Sequence, residues 1–185
     1  MKNTNLETKD ALLISVLKCH FKDDLNRVRV KLICLFITAL CKTKTINYEG
    51  LASEFDLKVD KNSSYRRIQR FMKEFDFPMK TVSVLIFNLL PFKDDLVLVL
   101  ERTKWKFGSK DINMLMKGVS YKNVAFPIMF KMLYKRGNSN TEERIDLIKK
   151  YIEWFGKESI NCLFADREFV GSKWLEFLNN ENIRL

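Results

Sequence analysis

The sequence predicts a two-part α+β protein, grading into α/β toward its C-terminal end. Three observations carry this. Apolar residues recur at steps of three and four through residues 9–90, the signature of helices. At Leu96 the pattern changes to Leu-Val-Leu-Val-Leu, apolar on both faces, as in a central strand. From there the order reads three consecutive strands, a helix, a strand and a helix.

In the helical part, residues 9–21 and 25–41 form the first two predicted helices. Val28, Leu32, Leu35, Phe36, Ala39 and Leu40 make the stripe of the second. A short helix over 47–55 contains Leu51, Ala52 and Phe55. A fourth over 63–75 aligns Ile68, Phe71, Met72 and Phe75, with Ser63 or Ser64 as its N-cap. The polar stretch 56–62 separates these two. Phe77-Pro78 closes the unit, and a helix over 80–90 leads to Pro91.

In the second part, strands are expected at 96–102, 112–121 and 124–133. Gly137 to Asn140 is a loop, and Ser139 with Glu142 has capping-box spacing. The helix 141–155 begins with Glu142 and Glu143 and carries Lys149 and Lys150 toward its end, which suits its dipole. A buried strand at 160–165 and a helix at 172–179 follow, and Ile183 to Leu185 reads as the start of another strand. Three strands joined by a crossover helix to a fourth is the order of a ribonuclease H-like domain. The expected division is residues 1–91 and 92–185.

Composition narrows the function classes. The 185 residues are 46% hydrophobic and 30% charged, with a formal charge of +10. That is a globular composition rather than a disordered one. Basic residues fall in two blocks. Residues 61–73 hold five basic side chains and no acid, and residues 102–136 hold nine with only Asp111 against them. Each block is a candidate polyanion contact. Residues 137–185 carry seven basic and nine acidic side chains. Four scattered cysteines and a single histidine do not supply zinc spacing. Cys34 and Cys41 are expected to be buried packing residues. Free cysteines suit a reducing cytoplasm. The most apolar run, Leu32 to Cys41, is too short for the roughly 20 residues that span a bilayer, so no membrane partner is expected.

Two groups of residues carry chemistry. The helix 63–75 opposes its apolar stripe with Ser63, Arg66, Arg67, Gln69, Arg70 and Lys73. Arg66 and Arg70 are one turn apart and repel by roughly 0.2–0.5 kcal/mol, which a bound anion relieves. With helix 47–55 this forms a helix-turn-helix-like unit over about residues 47–75, in which Arg and Gln suit base edges and Lys and Ser suit phosphates. The second group is acidic. Asp166 follows strand 160–165, and Glu101 lies at the end of strand 96–101. If those strands are neighbours, the two carboxylates can share a Mg²⁺ or Mn²⁺ ion, as in phosphodiester cleavage. Asp94 and Asp95 lie about 20 Å away at the opposite end of the strand. Glu168 is expected at the surface.

Three stretches then carry a family likeness: Glu101-Arg102-Thr103-Lys104-Trp105-Lys106-Phe107-Gly108, the run Lys135 to Arg144, and Ala165-Asp166-Arg167-Glu168-Phe169-Val170-Gly171. With the run 63–71 they span nearly the whole chain. The chain resembles the DDE transposases of bacterial insertion sequences, the IS-four-like group. The resemblance implies an N-terminal DNA-binding domain and a ribonuclease H-like catalytic domain in which three acids hold two metal ions. Asp166 takes the second acid position. Glu101 takes the first, where the family has Asp. The third, a Glu in a Tyr-x-x-Arg-x-x-x-Glu motif, is expected beyond residue 185, so the catalytic domain is expected to be incomplete.

The resemblance further implies that Arg102, Lys104, Arg136 and Arg167 hold DNA phosphates. The implied partners are transposon-end inverted repeats, with a second copy of the chain or a full-length transposase. Its implied location is the bacterial cytoplasm. Glu exceeds Asp by one methylene, about 1.5 Å, and a displacement of about 1 Å costs on the order of 10²-fold in rate. Three expectations follow: a transposase of a mobile element, as a truncated and inactive fragment; a catalytically dead DNA-binding remnant or inhibitor of a full-length partner; or a ribonuclease H-like nuclease unrelated to transposition.

Overall fold

A computed structural model describes residues 4–22, 24–55 and 59–185, with the side chains of residues 4–10 and 107 outside that description. The chain forms two compact units, residues 1–81 and 82–185. The division falls inside a helix, ten residues before the boundary expected at 91.

The first unit is helical. It contains α1 (Thr4–His20), α2 (Arg27–Thr43), α3 (Tyr48–Ser53) and α4 (Lys61–Glu74). Helix α2 starts where Asn26 accepts the Arg29 amide, and it stops at Lys44, which adopts a left-handed conformation (φ 52°). Helix α4 starts at Asp60, whose carboxylate accepts the Ser63 amide at 3.1 Å. The cap therefore precedes the two serines predicted for it, and Ser64 is buried inside the first turn. Part of the expected 56–62 connector, residues 56–58, lies outside the described residues. Leu32 and Ala39 of α2, Leu51 and Ala52 of α3, Phe55 just after α3, and Ile68 of α4 form one core. Met72 does not join it and is 54% exposed. Cys34 is buried as expected, but Cys41 is exposed.

Helix α5 (Met79–Leu89) runs across the division. The second unit then holds β1 (Leu96–Phe107), β2 (Lys110–Tyr121), β3 (Val124–Met132), α6 (Thr141–Phe155), β4 (Ile160–Ala165) and α7 (Ser172–Asn180). The sheet order is β3-β2-β1-β4. Strands β1, β2 and β3 are antiparallel neighbours, and β4 lies parallel to β1. This makes the second unit mixed α and β, with the predicted element order. Strand β1 runs five residues past its expected end because the hairpin turns at Gly108-Ser109, where Gly108 has φ 59°. A bulge at Lys117/Gly118 shifts the β2–β3 register.

The core lies on one face of this sheet. Leu98, Leu100, Leu115 and Leu163 meet Leu147, Ile148 and Tyr151 of α6 and Trp174 and Leu178 of α7. Alternation places Val97, Val99, Glu101 and Trp105 on the opposite face. That face is open, and Phe164 on it is 58% exposed. Strand β4, predicted as a buried strand, has only Leu163 fully buried. The capping box of α6 is formed by Asn140 and Glu143, one residue later than the pair predicted. Ser139 is buried and serves another purpose, described below. The strand expected at Ile183–Leu185 is present as a single parallel bridge, Cys162 to Arg184. Among the described residues no helix is long and apolar enough to cross a membrane.

Candidate functional site

The parallel register of β1 and β4 ends on Leu100 opposite Ala165. Glu101 and Asp166 are each one residue further. Asp166 follows the end of β4, but Glu101 lies in the middle of β1, which continues to Phe107, and not at the strand end expected for it; the two backbones are neighbours, about 4.8 Å apart by ordinary strand spacing. Leu100 is buried against the helices, so the alternation of β1 sends Glu101 to the open face. Asp166 lies one residue past the end of β4, two beyond the exposed Phe164. Both acids are exposed. The Asp166 carboxylate accepts the Arg167 amide at 2.6 Å and caps a single 3₁₀ turn, Arg167–Phe169. Neither acid pairs with a basic side chain among the described residues.

Two exposed carboxylates on neighbouring backbones suit a hard divalent ion such as Mg²⁺ or Mn²⁺, which prefers oxygen ligands. Residues Glu101 and Asp166 are those that would hold it. Among the described residues no cluster of three or more acidic, histidine or cysteine side chains has metal-binding geometry.

The residues flanking these acids differ from expectation. Arg102 lies on the helix-facing side of β1. Its Nε donates to Glu168 Oε1 at 2.8 Å, and its second terminal nitrogen donates to Oε2 at 2.9 Å. The predicted phosphate contact is therefore engaged by protein, and Glu168 is a half-buried ion-pair partner rather than a surface charge. The hydrogen bond from Arg102, with the charges of Arg102 and Arg144 and against the opposing effect of burial, holds the Glu168 carboxyl below its usual range.

Arg144 is buried at the start of α6. It donates to Ser139 Oγ at 2.9 Å and to the carbonyl oxygens of Ser139 and Glu168 at 2.5 and 3.3 Å. Its guanidinium lies 4.9 Å from the Phe169 ring centroid. Sequence reading missed Glu168 and Arg144 in these roles. The available signal was their place inside the same short blocks as Asp166 and Ser139.

The basic block 102–136 is less cationic than its composition. Arg102, Lys131, Lys135 and Arg136 have acidic partners in Glu168, Asp146, Glu143 and Asp111. Lys117 is fully buried. Lys104 remains exposed, as does Arg167 beside Asp166. The Arg136 pairing is loose, at 3.6 Å, with its side chain 89% exposed.

The first unit keeps its basic face. Ser63, Arg66, Arg67, Gln69, Arg70 and Lys73 are all exposed along α4, and no acid of the described residues pairs with its arginines. Arg67 and Arg70 border a surface depression together with Arg29 of α2. Glu74 lines it too, the one acid on that face. Arg29 was assigned no role from sequence, because α2 reads there only as a core helix.

No family model matches the chain, and no curated protein or solved structure does either.

Proposed function

We propose that this chain is a DNA-binding protein of the DDE transposase kind, with duplex DNA held by α4 and a partial divalent-ion site at Glu101 and Asp166. The observation that carries the reading is the parallel register Leu100 to Ala165, because it makes neighbours of two acids 65 residues apart in sequence. The sheet order β3-β2-β1-β4, with the crossover through α6, supports a ribonuclease H-like arrangement. The exposed arginines of α4, presented on a short helix pair, support the DNA contact.

In this reading Arg66, Arg67, Gln69 and Arg70 meet the groove, and Ser63 and Lys73 hold phosphates. Transposon-end inverted repeats are the proposed DNA. Glu101 and Asp166 would bind Mg²⁺ or Mn²⁺, and such an ion activates water and stabilises a leaving oxygen in phosphodiester hydrolysis. Arg167 and Lys104 would draw the DNA backbone toward these acids. The second reading is a binding protein that inhibits a full-length transposase; it needs only the exposed basic face of α4.

The test has two arms. Duplex binding, measured by fluorescence anisotropy across a salt series, should weaken in the Arg66→Ala/Arg70→Ala variant, and its log–log salt slope should flatten by about 0.9 per lost phosphate contact. Unchanged affinity and slope sink the DNA assignment. Nicking of supercoiled plasmid with Mg²⁺, absent in Asp166→Asn, selects the enzyme. Binding without nicking selects the inhibitor.

A further inference from the structure

The turn that carries Asp166 is held at more points than a surface turn requires. The Phe169 amide donates to the Asp166 carbonyl at 2.9 Å and closes the turn. Phe169 is buried, and the Arg144 guanidinium lies over its ring. Arg144 also donates to the Glu168 carbonyl, tying the turn to the start of α6. From the other side, Arg102 of β1 grips both oxygens of the Glu168 side chain. A two-pronged arginine–carboxylate bond fixes orientation as well as distance. Arg102 is next to Glu101 in β1, and Glu168 is two residues past Asp166. The same bond therefore joins β1, at the residue after Glu101, to the turn that carries Asp166, on the side of the sheet facing away from Glu101.

We propose that Arg102 and Glu168 are positioning residues for a divalent-cation site: their bond locks the turn after β4 against the middle of β1 so that Glu101 and Asp166 can hold one ion together. The inference rests on the reading of Glu101 and Asp166 as ion ligands. Neither Arg102 nor Glu168 touches the ion. Arg102 is a cation beside a cation site, so its charge alone disfavours the ion. Its removal thus gives opposite results under the two roles it could play. A charge effect predicts tighter binding without Arg102, and so does a Glu168 that becomes an ion ligand once released. A positioning role predicts weaker binding.

The experiment is Mn²⁺ binding to the 185-residue chain, read from the electron paramagnetic resonance signal of the free ion. Wild type should bind and Asp166→Asn should not. Arg102→Gln should bind about ten- to a hundredfold more weakly than wild type, the usual loss when a ligand's supporting partner is removed. Arg102→Lys keeps the charge and the aliphatic stem but not the two-pronged bond. It should weaken binding in the same way, and it preserves the comparison if Arg102→Gln fails to fold. Equal or tighter binding by these variants overturns the positioning role while leaving the ion site intact. Wild type without Mn²⁺ binding, or Asp166→Asn binding like wild type, overturns the ion site and the positioning role with it.

Discussion

Lys117 places its amine 3.5 Å from the centroid of the Tyr151 ring, fully buried between β2 and α6. No hydrogen-bond partner reaches the nitrogen. The ring face offers the only electrostatic compensation described, and Tyr151 is itself buried, with its hydroxyl 3.3 Å from Ser159 Oγ. Burial pushes the Lys117 amine well below the ordinary lysine range. The unfolded chain therefore binds more protons than the folded one, and stability rises with pH. The destabilisation is complete below the folded pKa and fades as pH rises toward the unfolded value of about 10.4. Lys117→Met matches the aliphatic stem out to Cε and removes the orphaned amine. It should stabilise the protein by about 1–3 kcal/mol at pH 7, the cost of an unsatisfied buried polar group. Urea unfolding at pH 7 and pH 9 checks it, since the gain should shrink at the higher pH.

The Arg102–Glu168 pair gives an acid-side counterpart. Arg102's hydrogen bond holds the Glu168 carboxyl below its usual range. A depressed carboxylate contributes stability that is present above the unfolded value of about 4.3 and is lost as pH falls through the folded pKa. Glu168→Gln should cost on the order of 1 kcal/mol at pH 7, a hydrogen bond to a charged group discounted for partial solvent access. It should also flatten the acid limb of the stability curve. Asp146, held low first by its bond from Lys131, keeps part of that limb in the variant. Unfolding midpoints between pH 7 and pH 3 supply the comparison, and parallel curves for the two proteins would remove Glu168 from the account.

Much of this fold was legible because helices and strands advertise their periods. Helix α6 is an instance: its acidic start and its end at Gly156 match the sequence reading, and only the capping pair moved. It moved because Ser139 is buried as the acceptor for Arg144, a contact 5 residues along the chain but set by tertiary packing. The neighbouring acids were legible as a conditional, since Glu101 and Asp166 meet only if β1 and β4 pair. Pairing depends on the crossover through α6, which no local pattern specifies. Side-chain partnership was the least legible part. Composition counts Arg102, Lys117 and Lys131 alike as positive charges. The fold gives the first a carboxylate across the sheet, buries the second and pairs the third with Asp146.

The bulge beside Lys117 has its own requirement. A Cβ on Gly118 would lie 2.8 Å from the Phe126 carbonyl oxygen and 3.2 Å from its carbon. Both are backbone atoms of β3, held by the ladder, so no flexible side chain can yield. Gly118→Ala should destabilise the protein by about 1–3 kcal/mol, as an overpacked interior position does. Gly171→Ala is the control, because nothing lies within 4 Å of its added Cβ. Differential scanning calorimetry of the two variants should show a lower melting temperature for Gly118→Ala alone.

Arg29 offers the sharpest test of how far the proposed DNA footprint extends over the first unit. Its guanidinium lies 5.3 Å from the Phe75 ring centroid and borders the same depression as Arg67 and Arg70. A duplex seated on α4 would bring a phosphate within reach of this side chain. Arg29→Ala should then weaken duplex binding and reduce the log–log salt slope by about 0.9, one released counterion. Arg29→Lys changes the stacking on Phe75 but keeps the charge, so the slope should stay near that of wild type. A full wild-type slope in Arg29→Ala would confine the DNA to the side of α4 bearing Arg66, Gln69 and Lys73. Arg29 would then be a packing residue whose aromatic contact closes the helix end.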